Sequence, residues 1–327
     1  MTRLSVDEAQ AIVDDIRVTN GGLSPEAERG LSQEAKRALR NLQSIAGGSI
    51  VHVAQDLYDK DTRFIYELIQ NAEDNRYTRA QKDKKEPFLH FTLYDDRITV
   101  DSNEDGFSES DVRAICSIHQ SSKKQTSGYI GHKGIGFKSV FKIAPKVTIQ
   151  SASFCFFFRH TQGDSGMGMI TPYNESHEAL PAAVTTRITL DLKSPTDFEA
   201  RAREFDDVPD TLLLFLRQLR NLTLDVVPRG SKTVYKRLEP SRHRVKLVKQ
   251  IGYNEHYNHY VFKKKTLTGL PQHSSRPGSD EAEVILAFPV DEDSCPLIQP
   301  QYVYSFLPMR HEGFNVCSSA PTIQTSR

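Results

Sequence analysis

Residues 67–75 read Glu67-Leu-Ile-Gln-Asn71-Ala-Glu-Asp74-Asn75. At about 100° per residue on a helix, Asn71 falls ~40° from Glu67, and Asp74 ~20° on the other side. Glu67, Asn71 and Asp74 then share one face, about 120° from the apolar stripe Phe64, Ile65, Leu68, Ile69 and Ala72. A carboxylate and an amide one turn apart, beside a core-facing stripe, can orient a water and ligate a hard cation. Ordinary solvated helices carry the same spacing, so the neighbouring segments decide.

Two further segments stand out. Asp101-Ser-Asn103-Glu104-Asp105-Gly106-Phe107 follows a run of alternating apolar and polar residues, a strand pattern. Polar residues at a strand end before glycine can set a side chain against a ligand, although an acidic turn reads the same way. Gly128-Tyr-Ile-Gly131-His-Lys133-Gly134-Ile-Gly136-Phe137-Lys138-Ser139 packs four glycines into nine residues ahead of a helix start. Such a backbone can approach phosphates closely and aim its N–H groups at them. It is not a P-loop, because Phe137 separates the last glycine from Lys-Ser. Nor is it the dinucleotide fingerprint, which needs a third glycine at another spacing.

In this order, with a strand hairpin between the first two, the segments resemble the GHKL superfamily of Bergerat-fold ATPases: gyrase B-type, chaperone, histidine-kinase and MutL-type. ELIQNAEDNRY, NEDGF and GHKGIGFKSVF are similar to its NO VEIN/sacsin-like branch. The resemblance is clearest over residues 50–230. It implies a two-layer α/β sandwich (the Bergerat ATP-binding fold) with a β-rich C-terminal appendage, and ATP with Mg²⁺ as cofactors. Position by position, it implies Glu67 as the group that activates water, Asn71 as the Mg²⁺ ligand, and Asp74 in the lining of the nucleotide pocket. It further implies Gly106 and Phe107 on the adenine side, and Thr186 bracing that contact. Gly131, Gly134 and Gly136 form the phosphate loop, with Phe137, Lys138 and Ser139 opening the helix after it. Lys123 (or Lys124) and Lys133 reach phosphates from the lid, and Arg310 is a candidate contributor from the following region. Two departures are visible. Ser102 stands where the superfamily reads adenine with an aspartate, leaving Asp101 or Asn103 as candidate substitutes, and Thr185 replaces the usual glycine before Thr186.

The implied function is Mg²⁺-dependent ATP binding and slow hydrolysis, with nucleotide state controlling lid closure and assembly, as a homodimer or with protein partners. The alternative is a non-hydrolysing, nucleotide-gated interaction module.

Working outward, the 327 residues accommodate about two domains. Boundaries are placed at 1–48 (N-terminal helices), 49–230 (ATP-binding) and 231–327 (β-rich, transducer-like, with an ending that reads as the middle of a domain). The second N-terminal helix is expected from Ser24 to Ile45, stopped by Gly47-Gly48, and Leu212–Leu219 is expected to be helical. β-runs are expected near 232–238, 244–251, 257–265 and 282–289. Lys plus Arg and Asp plus Glu both number 42, so no global basic field favours nucleic acid. The longest apolar runs, Phe154–Phe158 and Leu212–Leu216, are too short to span a bilayer. There is no secretory leader pattern, and Cys116, Cys155, Cys295 and Cys317 form no C-x-x-C pair. An intracellular, cytoplasmic or nuclear setting is expected. His256 and His259 fall on opposite faces of a strand and make a poor metal pair. The basic run at 236–249 reads as a solvated strand face.

Overall fold

The computed structural model describes residues 4–55, 63–117, 136–161, 163–194, 198–271, 280–305, 307–311 and 317–319. Five helices come first: α1 (Val6–Thr19), α2 (Pro25–Arg29), α3 (Gln33–Gln55), α4 (Arg63–Glu73) and α5 (Thr78–Lys82). Next come β1 (Phe88–Leu93), β2 (Arg97–Ser102), α6 (Glu109–Ile115), a 3-10 turn at Gly136–Lys142, β3 (Lys146–Ser151) and β4 (Phe154–Arg159). A second 3-10 turn, Gly166–Met169, leads to β5 (Tyr173–Asn174), β6 (Thr186–Asp191) and α7 (Phe198–Asp206). The rest is β-rich: β7 (Asn221–Val226), β8 (Ser231–Ser241), β9 (Arg244–Ile251), β10 (Asn254–Leu267), β11 (Ala282–Val290), β12 (Tyr302–Ser305), β13 (Leu307–His311) and β14 (Cys317–Ser319). The chain is thus mixed α/β. No helix among the described residues is long and apolar enough to cross a membrane.

Two compact units form. One comprises Met1–Asp206 and Asp225–Gly230, the other Asp207–Leu224 and Ser231–Arg327. In the first unit the strand order is β1-β2-β6-β3-β4-β5, antiparallel throughout. Successive side chains fall on opposite faces of the sheet, and in β2 and β4 both faces are largely buried. Leu89, Phe91, Ile98, Val100, Leu190, Val147, Ile149, Phe156 and Phe158 share the core face and are almost fully buried. Arg97, Asp101, Arg187, Lys146 and Gln150 fall on the other face. α4 packs against the Gly136–Lys142 turn, and Phe137, Phe141 and Phe158 interlock there edge-on or tilted at 6.2–6.5 Å between centroids.

The N-terminal helices differ from expectation. Ser24 and Ser32 each accept from a backbone N–H three residues on, at 3.2 and 3.1 Å, so each caps its own helix and the expected single helix is two. Gly47-Gly48 does not stop α3. A Cβ on Gly47 would lie 2.9 Å from the Gly166 backbone nitrogen, and one on Gly166 would lie 2.5 Å from the Gly47 carbonyl. The Gly47–Gly166 pair lets helix and turn approach backbone to backbone, a packing need that overrides glycine's poor helix propensity.

The second unit orders its strands β13-β12-β14-β11-β10-β9-β8, all antiparallel except the β12–β14 pair. Leu212–Leu219 is not the expected helix. The chain runs through turns, with Leu212 N–H donating to Pro209 O at 3.0 Å and Leu214 N–H to Thr211 O at 3.0 Å. Leu212 through Leu216 are all at most 4% exposed, which a helix lying on one surface could not achieve for five consecutive residues. Phe215 stacks on Phe262 at 5.6 Å and meets Tyr304 at 4.7 Å, while the Tyr235 hydroxyl donates to Val208 O at 3.1 Å. This segment therefore covers the sheet face that carries Tyr235, Leu247 and Tyr260.

Candidate functional site

The core face of the first unit opens into a recess at the C-terminal end of β2. Leu89, Val100 and Ser102 and, from β6, Thr186 and Ile188 form its floor. Leu68, Asn71, Ala72 and Asn75, at i, i+3, i+4 and i+7 along and just past α4, form one wall. Glu104, Phe107, Asp111, Ile115 and Phe137 close the rest, around about 590 Å³ of space with the mouth included. The floor is apolar at its centre and hydroxylated at its rim.

That rim is a rung across three strands. Ser102 pairs with Thr186, and Thr186 with Ser151. Thr185 N–H donates to Ser102 O at 2.9 Å, the Ser151 and Thr186 hydroxyls share a hydrogen bond of 2.5 Å, and Phe107 N–H donates to Ser151 Oγ at 2.8 Å. Gly106 makes this approach possible. Its φ is +93°, and a Cβ there would lie 2.8 Å from Ala152 Cβ. Asp105 pins the same loop to α5, accepting from Thr78 N–H at 3.1 Å, Arg79 N–H at 2.9 Å and the Thr78 hydroxyl. Partial burial raises the pKa of the Asp105 carboxyl, but these bonds together outweigh that and hold it below its usual value. Tyr77 closes α4 by donating to Ala72 O at 2.9 Å. Burial, with Glu104, Glu73 and Asp105 nearby, keeps that phenol neutral far up the pH scale.

Glu67 and Gly136 meet directly. A Cβ on Gly136 would fall 2.0 Å from Glu67 Oε2, so the carboxylate occupies the space that any other residue's side chain would need. Two segments separated by about seventy residues of sequence are thereby brought into contact. Lys138, two residues on, is fully buried, and its ammonium donates to Ile115 O and Met169 O, both at 2.6 Å. Burial pulls its pKa down to about 8, and Cys116 nearby acts weakly in the opposite sense.

Of the residues singled out in the sequence, Asn71, Phe107, Phe137 and Thr186 line the recess, and Glu67, Gly106 and Gly136 shape its edges. Asp74 is not in the lining, where Asn75 appears instead. Asp101 and Asn103 do not reach the recess. The two-residue period turns Asp101 to the opposite face, where Arg187 grips it at 2.7 and 2.6 Å. The Asn103 amide braces the start of β1, accepting from Phe88 N–H at 2.9 Å and donating to Glu86 O at 3.0 Å. Lys123, Gly131, Lys133 and Gly134 lie outside the described residues. Glu104 and Asp111 line the recess unanticipated. The Ser108–Asp111 capping box, readable as Ser-x-x-Asp, was the available signal for the latter.

The donor types suit a hard cation: an amide oxygen and a carboxylate one turn apart on one helix. No cluster of three or more His, Cys, Asp or Glu able to hold a metal alone occurs among the described residues.

The Sacsin domain family matches residues 50–160. Protein NO VEIN of Arabidopsis thaliana is 32% identical over 346 aligned residues, covering 98% of this chain. The chain spans only 12% of that relative's length. Chaperone protein HtpG from two Helicobacter pylori strains is 26% identical over 175 residues, 46% of this chain and 28% of that protein. The match to the Sacsin domain starts within α3 and ends just past β4, so it includes α4, the hairpin β1–β2 and the Gly136 turn.

Proposed function

We propose that the first unit is a two-layer sandwich of the Bergerat type that binds ATP with Mg²⁺ in the α4 recess and hydrolyses it slowly. The observation that carries this reading is the meeting of Glu67 with Gly136 at the edge of a recess whose wall presents Asn71 one turn along the same helix. The likeness to a chaperone protein and to the Sacsin domain supports it.

In this reading the apolar floor, Val100 and Ile188, takes a flat base, and the rung of Ser102 and Thr186 meets its polar edge. The Ser102 hydroxyl both donates and accepts, and it stands in for a carboxylate without its charge. Asn71 would hold Mg²⁺ through its amide oxygen, and bound Mg²⁺ would neutralise charge on the phosphates. Glu67 polarises a water toward the terminal phosphate, and Gly136 leaves that carboxylate the room to do so. Gly131 and Gly134, with Lys123 and Lys133, are proposed to close over the phosphates from the lid, and Asp74 to support the pocket from behind. Residues 49–230 then make up the ATP-binding part and 231–327 a transducer-like region.

Titration of the chain with a fluorescent ATP analogue, with and without Mg²⁺, tests binding. Saturation that needs Mg²⁺ and is lost in Asn71→Ala is expected, and no binding at millimolar analogue would sink the reading. Glu67→Ala is expected to bind but to release phosphate at least about 100-fold more slowly. Equal slow rates in the two proteins would favour the second reading, a nucleotide-gated interaction module, for which the neutral Ser102 in the adenine-side position speaks.

A further inference from the structure

The second unit carries a segregation of charge that the neutral chain as a whole conceals. On the four strands β8–β11, the face covered by residues 207–224 pairs its cations: Lys249 with Asp210 at 2.7 Å, Lys264 with Glu283 at 3.6 Å, and Arg237 with Glu239. The opposite face carries Lys265, Lys263, Arg244, Lys246 and Lys236. Among the described residues, none of these five has a carboxylate partner.

Register shows how they are arranged. Lys265 and Lys263 are successive same-face positions on β10, paired with Val284 and Leu286. One rung on, Arg244 pairs with Val261. Lys246 follows opposite His259, and Lys236 opposite Val248 on the next rung. The five cations therefore occupy five consecutive rungs, stepping diagonally from β10 through β9 to β8. Rungs on one face are spaced by about 7 Å along the strands. Beside this diagonal runs a second one of rings and apolar side chains. Phe288 pairs with Val261, and Tyr257 with Val248. Phe288 and Tyr257 are 41% and 43% exposed, and Lys246 Nζ sits 3.8 Å from the Tyr257 ring centroid. Glu255, which accepts from the Tyr257 hydroxyl, is the one carboxylate that β8–β11 place on this face.

We propose that this face binds single-stranded nucleic acid, with the cation diagonal following the phosphates and Phe288 and Tyr257 stacking bases. A regularly spaced anion and a flat apolar ring in every repeat is the chemistry that a charged track beside a ring track recognises. An acidic peptide would use the track and leave the rings without a function. A duplex would hide its base faces from them.

Fluorescence anisotropy of the whole chain with a labelled twenty-nucleotide dT strand tests this. We expect binding at about 50 mM salt that falls with a log–log salt slope near −3.5, for five phosphate contacts at roughly 0.7 each. Lys263→Glu with Lys265→Glu, both on exposed side chains, should weaken binding at least tenfold, and Phe288→Ala severalfold with the salt slope unchanged. Lys264→Glu, on the same strand but the opposite face, should leave it unchanged. An equal loss in Lys264→Glu would show diffuse attraction and overturn the proposal. So would equal binding of polyglutamate or of a duplex of the same length, or no binding by a wild-type protein whose thermal unfolding is cooperative. The proposal stands on the second unit alone and is independent of ATP binding.

Discussion

Gly136 and Lys138 lie two residues apart and answer to different constraints, one of space and one of solvation. At Gly136, alanine would push against the Glu67 carboxylate from 2.0 Å. Gly136→Ala should therefore cost about 1–3 kcal/mol of stability. It should lower turnover on the order of 100-fold through misplacement of Glu67, while analogue binding survives within a few-fold. Phosphate release measured alongside analogue titration checks this, and unchanged turnover would show that the contact does not set the geometry. At Lys138, the folded pKa of about 8 lies below the 10.5 of the free side chain. Between these values the unfolded chain holds more protons, so stability rises with pH across that window. Cys116 works in the opposite sense. Burial lifts its thiol from 9.0 to about 12, so stability is lost above pH 9 as the unfolded thiol ionises first. The net gain is confined to about pH 8–9, but the difference between wild type and Lys138→Met should keep growing, by about 2 kcal/mol by pH 9.5–10. Urea unfolding at several pH values reads it, and a flat difference would mean that the ammonium is better solvated than its burial implies. What the sequence made legible at this scale was motif-borne: Asn71, Phe107, Phe137 and Thr186. Asp101 and Asn103 were misleading because a strand's two-residue period sends neighbours to opposite faces, and only the pairing with β6 shows which neighbour faces the recess.

Elements were legible where periodicity and caps agreed. The hairpin β1–β2, closed by Tyr94 N–H on Arg97 O at 2.8 Å, has clear alternation on both sides of Asp95-Asp96. α3 was not, because glycine's local meaning depends on what approaches it. Gly47 faces the Gly166 turn, whereas a Cβ on Gly48 would meet nothing within 4 Å. The two neighbours should respond with opposite signs. Gly47→Val should destabilise by about 1–3 kcal/mol through overpacking against backbone, and Gly48→Ala should stabilise by about 0.5–1 kcal/mol. Denaturant midpoints measure both, and a shared sign would mean that α3 does not run through this pair. Leu212–Leu219 illustrates the same limit: a solid apolar run has no period from which to tell a helix from a fully enclosed irregular segment.

At the scale of the molecule, composition was an honest average and a poor map. Equal totals of acid and base are compatible with one face of β8–β11 on which cations meet their carboxylates and another on which, among the described residues, Lys265, Lys263, Arg244, Lys246 and Lys236 do not. The stretch 236–249 read alone showed charge but few rings, because Tyr257 and Phe288 join it only through strand pairing. The division into two units has its own consequence. The chain passes from one unit to the other at 206/207, returns at 224/225 and leaves again at 230/231. Neither unit is therefore a contiguous length of sequence, and no single cut separates them. A fragment ending at 230 would carry Leu212, Leu214 and Phe215 without the strands that cover them. A fragment starting at 231 would leave the Tyr235 face bare. The contiguous piece that holds the second unit whole, 207–327, necessarily takes residues 225–230 of the first with it.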